Sequence, residues 1–253
     1  MLVILPPSET KSDGGAGAPL RLESLSFPSA NPTRRHLVDA LVELSTDLDA
    51  SRAALGLGAT AIAEVDRNAE LWQAPTRPAI ERYTGVLYDA LDYRGMTRAV
   101  RAKALERLLI GSALFGVLGA GDEIPAYRLS GGSKLPGEPT LATTWKPVLH
   151  EVFAGIDDFI VDLRSGVYQN LGKVPGAVTV TVMTEKPDGS RSVVSHFNKH
   201  YKGLVARDLV RTRRRVGDLT LDAALSLARR GERDLQLTPS EFNATMTMVV
   251  DYQ

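Results

Sequence analysis

Met1-Leu2-Val3-Ile4-Leu5-Pro6-Pro7-Ser8-Glu9-Thr10-Lys11-Ser12-Asp13-Gly14-Gly15-Ala16-Gly17 opens the chain and decides how the rest is read. Four apolar residues after Met1 suit a buried strand, and the Pro-Pro step stops it. The glycine-rich, small polar residues that follow cannot sustain a helix, so the segment reads as a first β-strand running into a mobile loop. The apolar run is too short for a signal-peptide core and has no basic leader, and no stretch of about 18 apolar residues follows elsewhere. A cytoplasmic protein with no membrane segment is the expectation.

Working outward, residues from Pro32 to about Leu118 read as a helical block. Leu37, Leu41, Leu44 and Leu48 recur at helical spacing, and further helices are predicted at about 60–72, 77–93 and 97–115. Past Gly119 the pattern turns to glycine-rich turns and short β-branched runs. Strands are predicted at 159–163, 178–182 and 192–195, with a turn at Pro187-Asp188-Gly189-Ser190. Helices at 199–214 and 220–230 and a last alternating strand at 245–250 complete the chain. Strands at both ends around a helical insert predict an α+β (mixed α/β) fold: one compact domain over residues 1–253 with a mixed sheet.

The 253 residues are 43% hydrophobic and 24% charged, enough apolar content for a full core. The absence of cysteine excludes disulfides, thiolate metal sites, attached haem and thiol peroxidase chemistry. Thirty basic residues balance thirty acids, so polyanion binding has to come from a local patch. Such a patch exists between His196 and Gly217: Lys199, Lys202, Arg207, Arg211, Arg213, Arg214 and Arg215 face one acid, Asp208. Clustered cations of this kind release counterions from phosphates, although a solvated helix face is the bland alternative. Arg94 to Arg107 is a second, weaker basic stretch.

The turn Leu55-Gly56-Leu57-Gly58-Ala59 has the form of a helix-hairpin-helix element, in which Gly56, Gly58 and Ala59 would let backbone approach a DNA phosphate. A plain inter-helix turn is the simpler explanation of the two glycines. His196 and His200 have helical zinc spacing, but no Glu follows the first; no metal or cofactor is predicted. His36 and His150 have no obvious partner. Walker-type and dinucleotide-binding glycine patterns are missing. Loops after predicted strands carry Ser8, Glu9 and Lys11; Tyr127 and Arg128; Ser165 and Tyr168; and Lys199 and Lys202. In open α/β sheets such positions face ligands. The set suits an anion, phosphate or nucleotide, with Lys11, Tyr127, Arg128, Tyr168 and Lys199 as candidate catalytic groups. Ser8, Glu9, Ser165, Lys202 and Gly203 are candidate binding residues.

Several of these segments together resemble the YaaA family of bacterial peroxide-stress proteins. They are Met1 to Lys11, Tyr83-Thr84-Gly85-Val86-Leu87-Tyr88, Gly116-Val117-Leu118 with Tyr127-Arg128-Leu129, Asp162 to Tyr168, and Lys199 to Arg207. Gly119-Ala120, Ser130 and Val167 depart from the family pattern, and Lys11 lies two places later than in some members. The resemblance implies protection against hydrogen peroxide, with DNA binding through a helix-hairpin-helix element and lowered free intracellular iron. On that view Gly56, Gly58 and Ala59 grip the DNA backbone while Lys199, Lys202, Arg207 and Arg211 form a basic cleft. The alternative is an enzyme acting on a nucleotide, nucleoside or other anionic small molecule.

Overall fold

A computed structural model describes residues 1–185, 191–193, 198–212, 234–239 and 244–251. At its centre lies β1 (Leu2–Leu5), hydrogen-bonded in parallel to β3 (Leu108–Ser112) on one side and β6 (Ile160–Asp162) on the other. Val3 stands opposite both Leu108 and Val161. The sheet continues in parallel through β7 (Val178–Glu185) to β10 (Ala244–Asp251). Antiparallel strands finish it: β4 (Gly116–Gly119) on β3, β8 (Arg191–Val193) on β7 and β9 (Asp234–Pro239) on β10. A separate two-residue ladder joins β2 (Arg77–Pro78) to β5 (Glu123–Ile124). The fold is mixed α/β in a single compact domain.

Strands with helices on both faces read as continuous apolar runs, as β1 and β3 do. That is why residues 108–112 were expected to continue a helix and instead form β3. Thr97 caps α6 (Arg98–Arg107), its hydroxyl accepting from Val100 N–H, and the chain passes directly into the strand with no breaker between. The expected helix at 77–93 is also divided. β2 and α4 (Ala79–Arg82) come first, then Gly85 at φ 97° releases the chain into α5 (Val86–Leu91).

Earlier in the block, α1 (Asn31–Leu44) buries Leu37, Val38 and Leu41, whereas Leu48 is exposed at the start of α2 (Leu48–Leu55). Asp47 caps α2 by accepting from Ala50 N–H, and Gly56 ends it in the left-handed conformation that only glycine adopts cheaply. A five-residue turn then leads to α3 (Ile62–Ala69), shorter than the expected 60–72. The two-glycine turn is thus accounted for by helix termination, and a helix-hairpin-helix element is not shown. α7 (Leu141–Ala154) was not anticipated; Thr140 caps it and Pro147 lies inside it. Its Trp145 is fully buried, donates from Nε1 to Ala113 O at 2.8 Å and lies against Gly116, where a Cβ would come within 2.6 Å of the ring.

Three arginines are buried as clamps. Arg34 donates to the carbonyls of Phe115 and Val117, and Arg82 to those of Ile124, Pro75 and Ser12. Arg164 pairs with Asp162 at 2.8 Å and also reaches Tyr168 O and Gly172 O. The loop after β1, expected to be mobile, is tied down by the same devices. Ser12 Oγ donates to Glu81 O, Gly17 N–H to Thr76 O, and Lys11 bridges Tyr83. The turn at 187–190 and the helix at 220–230 lie outside the described residues.

Candidate functional site

The connection leaving β1 travels through the helical block to β3, while that leaving β6 passes through α8 (Gly166–Gln169) to β7 on the opposite side. Neighbouring parallel strands whose connections diverge leave a crevice at their carboxyl ends, the topological switch point of an open sheet. A cavity of about 470 Å³ occupies that place. Pro6, Pro7 and Glu9 line it after β1, Leu163, Ser165 and Tyr168 after β6, and Ser130 to Gly132 from the segment following Tyr127-Arg128. The helix α9 (Asn198–Arg211) supplies Asn198, Lys199 and Lys202 from its first turns, so the positive end of its dipole faces the cavity.

The wall is built by specific contacts. Tyr168 OH accepts from Gly131 N–H at 3.1 Å, and a Cβ on Gly131 would fall within 2.9 Å of Val167. Lys202 is only 8% exposed, and its ammonium donates to Leu163 O at 3.0 Å, with Arg164 O at 3.4 Å. Burial lowers its pKa, against the opposing pull of the Asp162 carboxylate. The Asn198 side-chain oxygen is buried beside it with no hydrogen-bond partner. Arg128 is held by Asn68 of α3, which accepts from the Arg128 N–H at 2.7 Å and donates to its carbonyl at 2.9 Å. So fixed, the Arg128 guanidinium pairs with Glu9 at 2.6 Å.

Behind Glu9 lies Lys11. Its Nζ donates to Ser8 O at 3.0 Å and approaches Glu9 O at 3.4 Å, standing 4.1 Å from the centre of the Tyr127 ring and 5.4 Å from that of Tyr83. Burial first, and the Arg128 charge second, push its pKa down to about 7, with Glu64 and Glu9 opposing. The Tyr83 and Tyr127 hydroxyls share a hydrogen bond of 2.8 Å, and Tyr127 shares another of 2.8 Å with Ser112, whose Oγ accepts from Phe115 N–H. Burial raises the pKa of both tyrosines, so they are neutral hydroxyls. Tyr88 stacks on Tyr83 and donates to Pro6 O, which ties this layer to the cavity wall.

The sequence model of the peroxide stress protein YaaA family matches residues 1–221. The chain belongs to this family. A UPF0246 protein of Corynebacterium efficiens is 50% identical over 254 residues, covering 99% of this chain and all of that one. One from Streptomyces coelicolor is 43% identical over 84% of each chain, and an uncharacterized protein of Campylobacter jejuni is 29% identical over 81% and 82%.

Within this family member, Ser8, Glu9, Lys11, Tyr127, Arg128, Ser165, Tyr168, Lys199 and Lys202 gather at the sheet's carboxyl edge. Ser8, Lys11, Tyr127 and Arg128 are not among the residues that line the cavity, whereas Glu9, Ser165, Tyr168, Lys199 and Lys202 are. Sequence reasoning missed Ser112, Gly131, Asn68 and Asn198 and left Tyr83 and Tyr88 without a role. The Tyr83 to Tyr88 block was their one visible signal. Gly203 has a packing role: a Cβ there would meet Leu87 O at 2.3 Å where α9 crosses α5. Lys202 points inward rather than into an outer basic cleft, and Arg207 is half-buried, whereas Lys199 and Arg211 are exposed. Gly58 and Ala59 are exposed in the turn between α2 and α3. His36 meets Glu138 at 2.7 Å on the surface. His196 lies outside the described residues, among which no cluster of three His, Cys, Asp or Glu residues could hold a metal. No described helix is long and apolar enough to cross a membrane.

Proposed function

We propose that this protein acts in protection against peroxide stress by binding a small anionic molecule, of nucleotide size or less, in the switch-point cavity and acting on it by proton transfer. The observation that carries this reading is the convergence of four separated segments on one cavity, each bringing a polar group: Glu9, Ser130, the Ser165/Tyr168 pair and the Lys199/Lys202 pair. With Glu9 already paired to Arg128, the lysines and the α9 dipole leave the cavity a net attraction for negative charge. Lys11, close to half neutral at pH 7, can accept or return a proton, and Arg128 can turn from Glu9 to an incoming anion.

Titration calorimetry with inorganic phosphate, ribose 5-phosphate and AMP tests the reading. Losing one charge-assisted hydrogen bond should weaken binding by roughly 10- to 100-fold in Lys202→Met, and Lys202→Met cells should lose peroxide resistance. Unchanged anion affinity in both Lys202→Met and Lys199→Ala would sink it.

Sequence-independent DNA binding is the second reading, favoured by the exposed Lys199, Arg211 and Gly58 turn. Contacts to about four phosphates would give a log–log salt slope near about −3.6. A Lys199→Glu/Arg211→Glu protein should then lose DNA while Lys202→Met keeps it.

A further inference from the structure

We propose that Lys11 is a nucleophilic amine that forms an imine with an aldehyde or ketone group carried by the anionic ligand. The proposal rests on the anion-binding reading for the charge of that ligand, and the rest of it stands on the surroundings of Nζ. A lysine drawn inward for structural reasons is ordinarily held as a cation by a carboxylate, and Lys11 is half-buried. No carboxylate lies within ion-pairing distance of Lys11 among the described residues, and the nearest acid side chain on its own loop, Glu9, is committed to Arg128. The contacts Nζ has are the carbonyls of Ser8 and Glu9 and the faces of Tyr127 and Tyr83.

Two carbonyl acceptors match the two hydrogens of a neutral amine and leave its lone pair free. The amine lies one carbonyl away from the cavity, since Glu9 belongs both to its cage and to the cavity wall. The proposed route of access is through the Glu9–Arg128 pair, which an anion drawn to Arg128 would part.

The chemistry balances without an oxidant or reductant. The Nζ lone pair attacks the carbonyl carbon, the C=O electron pair moves to oxygen, and a proton passes from nitrogen to that oxygen. The C–O bond then breaks, and the oxygen leaves as water with the second amine proton, giving C=N. When the imine nitrogen takes up a proton from solvent it carries one N–H, which Ser8 O is placed to accept. With the Lys11 pKa near about 7, the neutral fraction at that pH exceeds that of an ordinary lysine by on the order of a thousand-fold.

Pyridoxal 5′-phosphate, an aldehyde that carries a phosphate, is the probe. The folded full chain is treated at pH 7, reduced with borohydride and mapped by peptide mass spectrometry. The adduct is expected on Lys11 ahead of the other seven lysines, by about tenfold or more in rate. Its pH profile should have a midpoint near 7, inorganic phosphate should slow it, and Lys11→Arg should abolish it while keeping the parent's circular dichroism spectrum.

Labelling that falls on Lys199 or Lys202, spreads evenly, or persists in Lys11→Arg would overturn the proposal. A Lys11 adduct that neither phosphate nor Lys202→Met slows would instead support the imine and overturn the anion-binding reading.

Discussion

The buried arginines of this protein and its two inward-held lysines, the half-buried Lys11 and the buried Lys202, are treated differently. Arg34, Arg82 and Arg164 spread their forks over carbonyls from separate segments, and Arg164 adds a two-point pair with Asp162. Even with burial pushing Arg34 and Arg82 down to about 10, both remain charged at neutral pH. They act as fixed clamps. Lys11 and Lys202 are only partly satisfied by carbonyls, have depressed pKa values and lie along the switch-point crevice. Where a cation is needed for architecture the fold uses a group that holds its proton tightly; beside the crevice it uses lysines, which lose theirs more readily.

Breaking a clamp should therefore cost most. Asp162→Asn leaves the Arg164 guanidinium buried without its counter-charge, and urea unfolding should show a loss of about 3–5 kcal/mol.

The Lys11 effect comes next, and it depends on pH. Its folded pKa of about 7 lies below the ordinary 10.5, so between those values the unfolded chain holds the extra proton. Stability should rise with pH across that window, at up to about 1 kcal/mol per pH unit in mid-range. The burial penalty is fully present below about pH 7. Lys11→Met should flatten its share of the slope, as chemical unfolding at pH 6.5, 8 and 9.5 would show; an unaltered slope would place Lys11 with the fixed charges.

Tyr168→Phe removes one hydrogen bond, to Gly131 N–H, and should cost about 1 kcal/mol in melting experiments. It should also weaken ligand binding. Least of all, Lys199→Ala on the exposed side of α9 should stay within about 0.5 kcal/mol of the parent in stability while lowering anion affinity.

Much of this was legible in the sequence because β1, β6, β7 and β10 carry β-branched or apolar runs bounded by turn residues, and α9 carries a clear helical stripe. β3 was not: Leu108-Leu109-Ile110 follows a good helix with no breaker, and a strand buried on both faces has no alternation to show. α7 was hidden by Pro147 and by threonines at its start, although Thr140 supplies a proper cap. At the site, residues that leave strands were readable individually as ligand-facing positions. Ser112, Tyr83 and Asn68 were not, because each gains its role from a partner distant in sequence: Tyr127 for the first two and Arg128 for the third.

The central place of β1 also affects how the chain is made. Its apolar residues leave the ribosome about a hundred residues or more before their partners Leu108 and Ile160 are synthesised. Until then the segment has no edge to join, and the sheet must assemble around it from distant pieces. Such non-local pairing folds slowly and leaves apolar strands exposed meanwhile. For a protein whose family is named for oxidative stress, the nascent chain is thus most vulnerable to aggregation before the strand that completes its switch-point crevice has been made.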